Sequence, residues 1–110
     1  MVDHLQEATV ELADEWGPVF KVLGDSTRLR LLLAMHYRGP GEATVSELAE
    51  AVGVRTATAS AALIHMTEAG MIQPHKVGRV VRYSLTDPRI HELLHHLGGT
   101  HSHDRQLPGE

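Results

Sequence analysis

The stretch that most constrains the fold is TVSELAEAVGVRTATASAALIHMTEAG, from Thr44 to Gly70. Thr44 and Glu47 stand in the T-x-x-E arrangement, in which the threonine hydroxyl accepts from the third helical amide and the glutamate reaches back to the cap amide. The helix they start buries Leu48 and Val52 and stops at Gly53, so it has about two turns. After a turn of two to three residues a second helix runs to Gly70. Its first turns carry Thr56, Thr58 and Ser60 beside Ala57 and Ala61, so its leading end is small and polar. A short capped helix, a tight turn through glycine and a second helix with such an end is the helix-turn-helix pattern.

The flanking segments fit around it. MIQPHKVGRVVRYSL reads as a hairpin with its turn at Val77-Gly78, its second strand alternating Val81, Tyr83 and Leu85 against Val80, Arg82 and Ser84. A helix-turn-helix followed at once by a basic ribbon is a winged helix. Upstream, GDSTRLRLLLAMHYRG can be capped by Asp25 or Ser26. It turns Leu29, Leu32, Leu33 and His36 inward and ends at Gly39-Pro40-Gly41. VELADEWGPVFKVLG spaces Val10, Leu12, Trp16, Val19, Phe20 and Leu23 helically, with a kink or break predicted at Gly17-Pro18. Asp87-Pro88 starts a last helix over about 87–97. The expectation is one mainly α domain with a β-hairpin wing over 1–100, a winged helix-turn-helix. The helix-turn-helix spans about 44–70 and the wing about 71–85, with a flexible histidine-containing tail over 101–110.

Composition excludes several classes of function. In 110 residues there is little core in which to enclose an active site, and neither a nucleophile motif nor a glycine-rich phosphate loop is present. The prediction is a protein that is not an enzyme and has no small organic substrate. No apolar run approaches the roughly 18 residues of a membrane span. The acidic MVDHLQEATVELADEW is unlike a signal peptide, so a cytoplasmic location without membrane contact is expected. With no cysteine, disulfides and thiolate metal sites are excluded, and any metal must bind nitrogen or oxygen.

The net charge of -4 is unevenly placed. Asp3, Glu7, Glu11, Asp14 and Glu15 give the first 16 residues -5, which leaves the rest at +1. From Arg55 to Arg82, Arg55, Lys76, Arg79 and Arg82 face only Glu68. Taken singly, small residues on a helix mean close packing and cations on a hairpin mean a solvated face. Their order is what points to DNA, because a helix in the major groove needs short side chains near the bases and a wing that follows the backbone. So few cations imply few phosphate contacts per protomer, hence a dimer on two half-sites.

LGDSTRLRLLLAM, VSELAEAVG, TATASAALIHMTEAGMI and GRVVRYSL resemble the successive signatures of the ArsR/SmtB family of bacterial winged-helix repressors, over roughly residues 19–97. The resemblance implies a homodimer joined through the first and last helices that binds a palindromic operator in double-stranded DNA and releases it when a metal ion binds. It also implies DNA contacts from Arg55, Thr56, Ala57, Thr58, Ser60 and Ala61, and from the wing around Arg79, with Lys76 and Arg82.

The candidate metal ligands lie in DPRIHELLHHLGGTHSHDR. With Ile90 at zero, Leu93, Leu94 and Leu97 fall at about 300, 40 and 340 degrees, and Asp87, His91 and His95 at about 60, 100 and 140. An Asp-His-His stripe thus borders an apolar seam. In family members with a site on the last helix, an aspartate and a histidine at its start are joined by two histidines near the partner's C-terminus. Asp87 matches the aspartate, but Arg89 stands where the histidine is expected and Thr100 replaces one of the later pair. The set implied is Asp87 and His91 from one subunit with His101 and His103 from the other, and His95 as substitute, giving two sites per dimer. Val2-Asp3-His4 behind a free amine would suit Ni(II) or Cu(II), which makes His4 an additional candidate. His36, His65 and His75 are expected in surface or core roles. Imidazole and carboxylate donors favour Zn(II), with Ni(II) or Co(II) as alternatives. The alternative function is a metal-independent winged-helix DNA-binding regulator or a protein-interaction dimer.

Overall fold

The computed structural model describes residues 3–98. The expected tail, with His101 and His103, lies outside the described residues. In chain order the elements are α1 (His4–Leu23), α2 (Ser26–Arg38), β1 (Ala43–Thr44), α3 (Val45–Val52), α4 (Thr56–Glu68), β2 (Ile72–Val77), β3 (Val80–Leu85) and α5 (Pro88–His96).

Most helices begin where a short polar side chain takes an orphan amide. Asp25 Oδ1 accepts from the Arg28 amide at 2.9 Å. Thr44 and Glu47 form the reciprocal capping box at 3.2 and 2.9 Å, and Asp87 Oδ1 accepts from the Arg89 amide at 2.9 Å with Pro88 in the first turn. Each such cap is worth about 1 kcal/mol. The break predicted at Gly17-Pro18 is not found, and α1 runs through both residues. A proline costs a helix one backbone hydrogen bond, and burial of Val19, Val22 and Leu23 just beyond it holds the last turn in place.

The wing is a three-stranded antiparallel sheet in the order β1-β3-β2, one strand more than the expected hairpin. Ala43 pairs with Tyr83 and Thr44 with Arg82, and the Gly41 amide donates to the Tyr83 carbonyl at 3.2 Å. β3 is therefore central, and Ser84, expected on the face opposite Tyr83, is buried as Tyr83 is. The hairpin turn falls one residue later than predicted. Val77 pairs with Val80, and Gly78, at φ 63°, takes the left-handed conformation a two-residue turn requires.

The core is built around α2, which packs against α1, α3, α4, β3 and α5. Its buried face is Leu31, Leu32, Met35 and His36. The predicted Leu29 and Leu33 lie at its edge, half-buried. Leu48 of α3, Ala59, Leu63 and Met66 of α4, and Ile90 and Leu94 of α5 close over it. No helix among the described residues is long and apolar enough to cross a membrane.

Candidate nucleic-acid interface and candidate metal centre

α3 ends on Gly53, whose φ of 75° reverses the chain so that α4 starts three residues later. Ala59, Leu63 and Met66 fasten α4 to the core along one face. That leaves Arg55, Thr56, Ala57, Thr58 and Ala61 exposed and Ser60 half-buried along its leading half. On the wing, Lys76 and Arg79 are exposed. Arg82 differs from them: its Nη1 donates to the Glu42 carbonyl at 3.1 Å, which fixes it to the loop before β1. Ile64 was not anticipated. It is 56% exposed on α4, and an apolar side chain there can contact thymine methyl groups in a major groove.

α5 divides the seam read from its sequence. Ile90 and Leu94 are fully buried, whereas Leu93 is half-buried and Leu97 exposed. His91 and His95, four residues apart, lie on one edge, and both meet His36, an imidazole of α2 that is only 2% exposed. Ring centroids are 4.7 Å apart for His36 and His91, 4.8 Å for His36 and His95, and 5.0 Å for His91 and His95. One nitrogen from each lies within 4.8 Å of the other two. The sequence reading gave His36 no site role. Its position on the inward face of α2 was legible, but only the packing of α2 on α5 reveals its neighbours.

Asp87 has a different setting. Besides capping α5, it accepts from Arg89 Nε at 3.1 Å through Oδ1 and from Arg89 Nη2 at 2.8 Å through Oδ2. Hydrogen bonding from the Arg89 side chain holds the Asp87 carboxyl below the usual carboxylate range. The same bonds, with one that Arg89 Nη1 donates to Glu15 Oε2 at 3.1 Å, raise the guanidinium pKa. Arg89 also lies over the Trp16 ring, 5.2 Å from its centroid, so it joins α1 to the start of α5. Among the described residues, the cluster whose donor atoms lie close enough together to hold a metal ion is His36, His91 and His95. His4 opens α1, and Val2 lies outside the described residues. His65 and His75 are exposed on α4 and β2.

A shallow apolar groove runs between α1 and α5, bordered by Leu12, Ala13, Trp16, Phe20 and Leu93. Leu5, Val10 and Leu12 of α1 and Leu97 just past α5 are exposed as well.

Residues 23–74 match a helix-turn-helix domain family. A probable mercury resistance operon repressor from Streptomyces lividans is 33% identical over 81 residues, covering 74% of this chain. The match spans 62% of that relative's length. A cadmium resistance transcriptional regulatory protein, a CadC homolog from Staphylococcus aureus, is 34% identical over 96 residues, covering 84% of this chain and 78% of that one. The crystal structure of the transcriptional repressor BigR from Xylella fastidiosa superposes with a TM-score of 0.74 at 26% identity, over 84% of this chain and 91% of that chain.

Proposed function

The chain belongs to the ArsR/SmtB family of winged-helix transcriptional regulators, and on that premise we propose that it is a homodimeric repressor that binds operator DNA and releases it when a divalent transition metal ion binds. The observation that carries the DNA-binding reading is the surface shared by α4 and the wing. One face of α4 is locked into the core by Ala59, Leu63 and Met66, and the opposite face offers hydroxyls, small side chains and Arg55 beside exposed Lys76 and Arg79. Small side chains let the helix backbone approach base edges, while the cations meet phosphates on either side. The apolar groove between α1 and α5 suits a second copy, which would present two reading helices to successive half-sites.

The metal follows from the donors. The relatives are named for resistance to mercury and cadmium, soft ions that favour thiolates. This chain has no cysteine, so nitrogen and oxygen donors supply the ligands, and the imidazoles of His91 and His95 on α5 are their core. Zn(II) fits such a set best, with Ni(II) and Co(II) next. An ion fastened to α5, beside the groove assigned to the dimer, alters the spacing of the two reading helices and so favours the released state. Regulation of this kind belongs in the cytoplasm, where the DNA is.

The test is operator affinity, measured by fluorescence anisotropy on a duplex selected from a random pool by the metal-free protein. Zn(II), Ni(II) or Co(II) should weaken it about 5- to 150-fold, the usual range of allosteric coupling. Affinity unchanged by all three ions would leave a metal-independent DNA-binding regulator instead.

A further inference from the structure

We infer that the ion is held within one protomer, by His36 of α2 together with His91 and His95 of α5, so that it staples the last helix to the central helix of the fold. This rests on the metal-control reading above for its regulatory consequence, but the site itself stands on geometry. His91 and His95 are four residues apart on a helix, which places two imidazoles on one edge. The third comes from a different element, and its burial to 2% exposure fixes where it can be.

A tetrahedral ion with ligand nitrogens at about 2.0–2.1 Å separates them by about 3.3 Å. The three imidazoles already approach within 4.8 Å of one another, so closure requires a contraction of about 1.5 Å or less at any pair. Exposed His95 and half-buried His91 can supply it by ring rotation, while His36 stays fixed. A cavity of about 70 Å³ bordered by Met35, His36, Gly39, Pro40, Leu85 and His91 adjoins the cluster. It leaves room for a fourth ligand such as water.

The carboxylate on the same helical stripe does not compete for a place. Asp87 is engaged by the Arg89 amide and by two guanidinium nitrogens at 2.8–3.1 Å. Recruiting it to an ion would break the clamp joining α5 to Glu15 of α1. The donor set is therefore three neutral imidazoles, a chemistry that takes Zn(II) or Co(II) and does not depend on residues beyond 98. The route to DNA is short, because α2 packs directly against α3 and α4 as well as α5. Each protomer of the dimer should bind one ion on its own.

The experiment is a Co(II) titration of the full chain by visible absorption, in wild type, His36→Gln, His95→Ala and the double variant His101→Ala with His103→Ala. Wild type should bind one Co(II) per protomer with intense ligand-field bands. His36→Gln and His95→Ala should each lose about 100-fold or more in affinity, since changes merely adjacent to a metal's ligands cost about 10- to 100-fold. The tail variant should stay within about threefold of wild type, inside the usual context scatter of factors of two to three. If buried His36→Gln fails to fold, X-ray absorption on the Co(II)-loaded tail variant replaces it, with three imidazoles expected around the ion. A folded His36→Gln that binds like wild type, or a tail variant that loses the bands, overturns the site. Operator affinity measured on the same samples separates the two levels. Tight Co(II) binding at the triad with unchanged operator affinity refutes metal control and leaves the site standing, whereas absent Co(II) binding refutes the site and leaves DNA binding untouched.

Discussion

Substituting Arg79 by alanine should change how steeply operator binding depends on salt. On the surface proposed to face DNA each protomer exposes Arg55, Lys76 and Arg79, while Arg82 is tied to the Glu42 carbonyl. On that proposal a dimer neutralises about six phosphates. Counterion release then gives log K against log salt a slope of about -5.4 and weakens binding about 2,000-fold between 50 and 200 mM salt. Arg79→Ala removes one contact per protomer, so the slope should fall to about -3.6 and the loss over the same range to about 150-fold. Anisotropy titrations of wild type and variant on one duplex at several KCl concentrations give both numbers. An Arg79→Ala slope equal to that of wild type would remove the wing from the interface, and a wild-type slope of about -2.7, the value for three contacts, would refute engagement of DNA by two protomers.

Leu94→Ala, at a fully buried position of α5, should cost about 2–5 kcal/mol in urea unfolding; a loss below about 1 kcal/mol would mean that α5 is not anchored there. Gly53→Ala meets no atom, so its expected cost of about 1–2 kcal/mol comes from the left-handed backbone alone, and an unchanged unfolding midpoint would refute that conformation. Asp87 has a depressed pKa, so its stabilising effect is present above the unfolded-state value of about 3.9 and disappears as pH falls through the lower folded value. Wild type should exceed Asp87→Asn by about 1 kcal/mol or less at neutral pH, the two converging in acid; a gap that persists to pH 2 would show that the charge is not what matters.

Local chemistry explains what was legible in the sequence. The capping box at Thr44 and Glu47, the caps at Asp25 and Asp87 and the Gly53 turn are each specified within four residues, and together they expose the helix-turn-helix. What escaped depends on contacts distant in sequence. β1 is two residues long and exists because β3 pairs with it, and Ser84 is buried next to Tyr83 although the two alternate in the strand. Pro18 did not break α1 because Val19, Val22 and Leu23 are held by the core. His36 lies 55 residues before His91, and no periodicity joins them. The sequence placed Asp87 on the same stripe as His91 and His95, but a helical wheel carries no information about Arg89 turning back onto that carboxylate.

Reciprocity between metal and DNA gives the most direct test. If operator and metal favour different states of one dimer, each must weaken the other's binding by the same factor. Co(II) affinity should be measured by absorption on the free protein and on the protein saturated with operator duplex. With two ions per dimer, the per-ion loss of Co(II) affinity on DNA, squared, should match the loss of operator affinity caused by Co(II), so a total of about 5- to 150-fold corresponds to about 2- to 12-fold for each ion. Equal Co(II) affinity with and without operator would contradict metal-controlled repression.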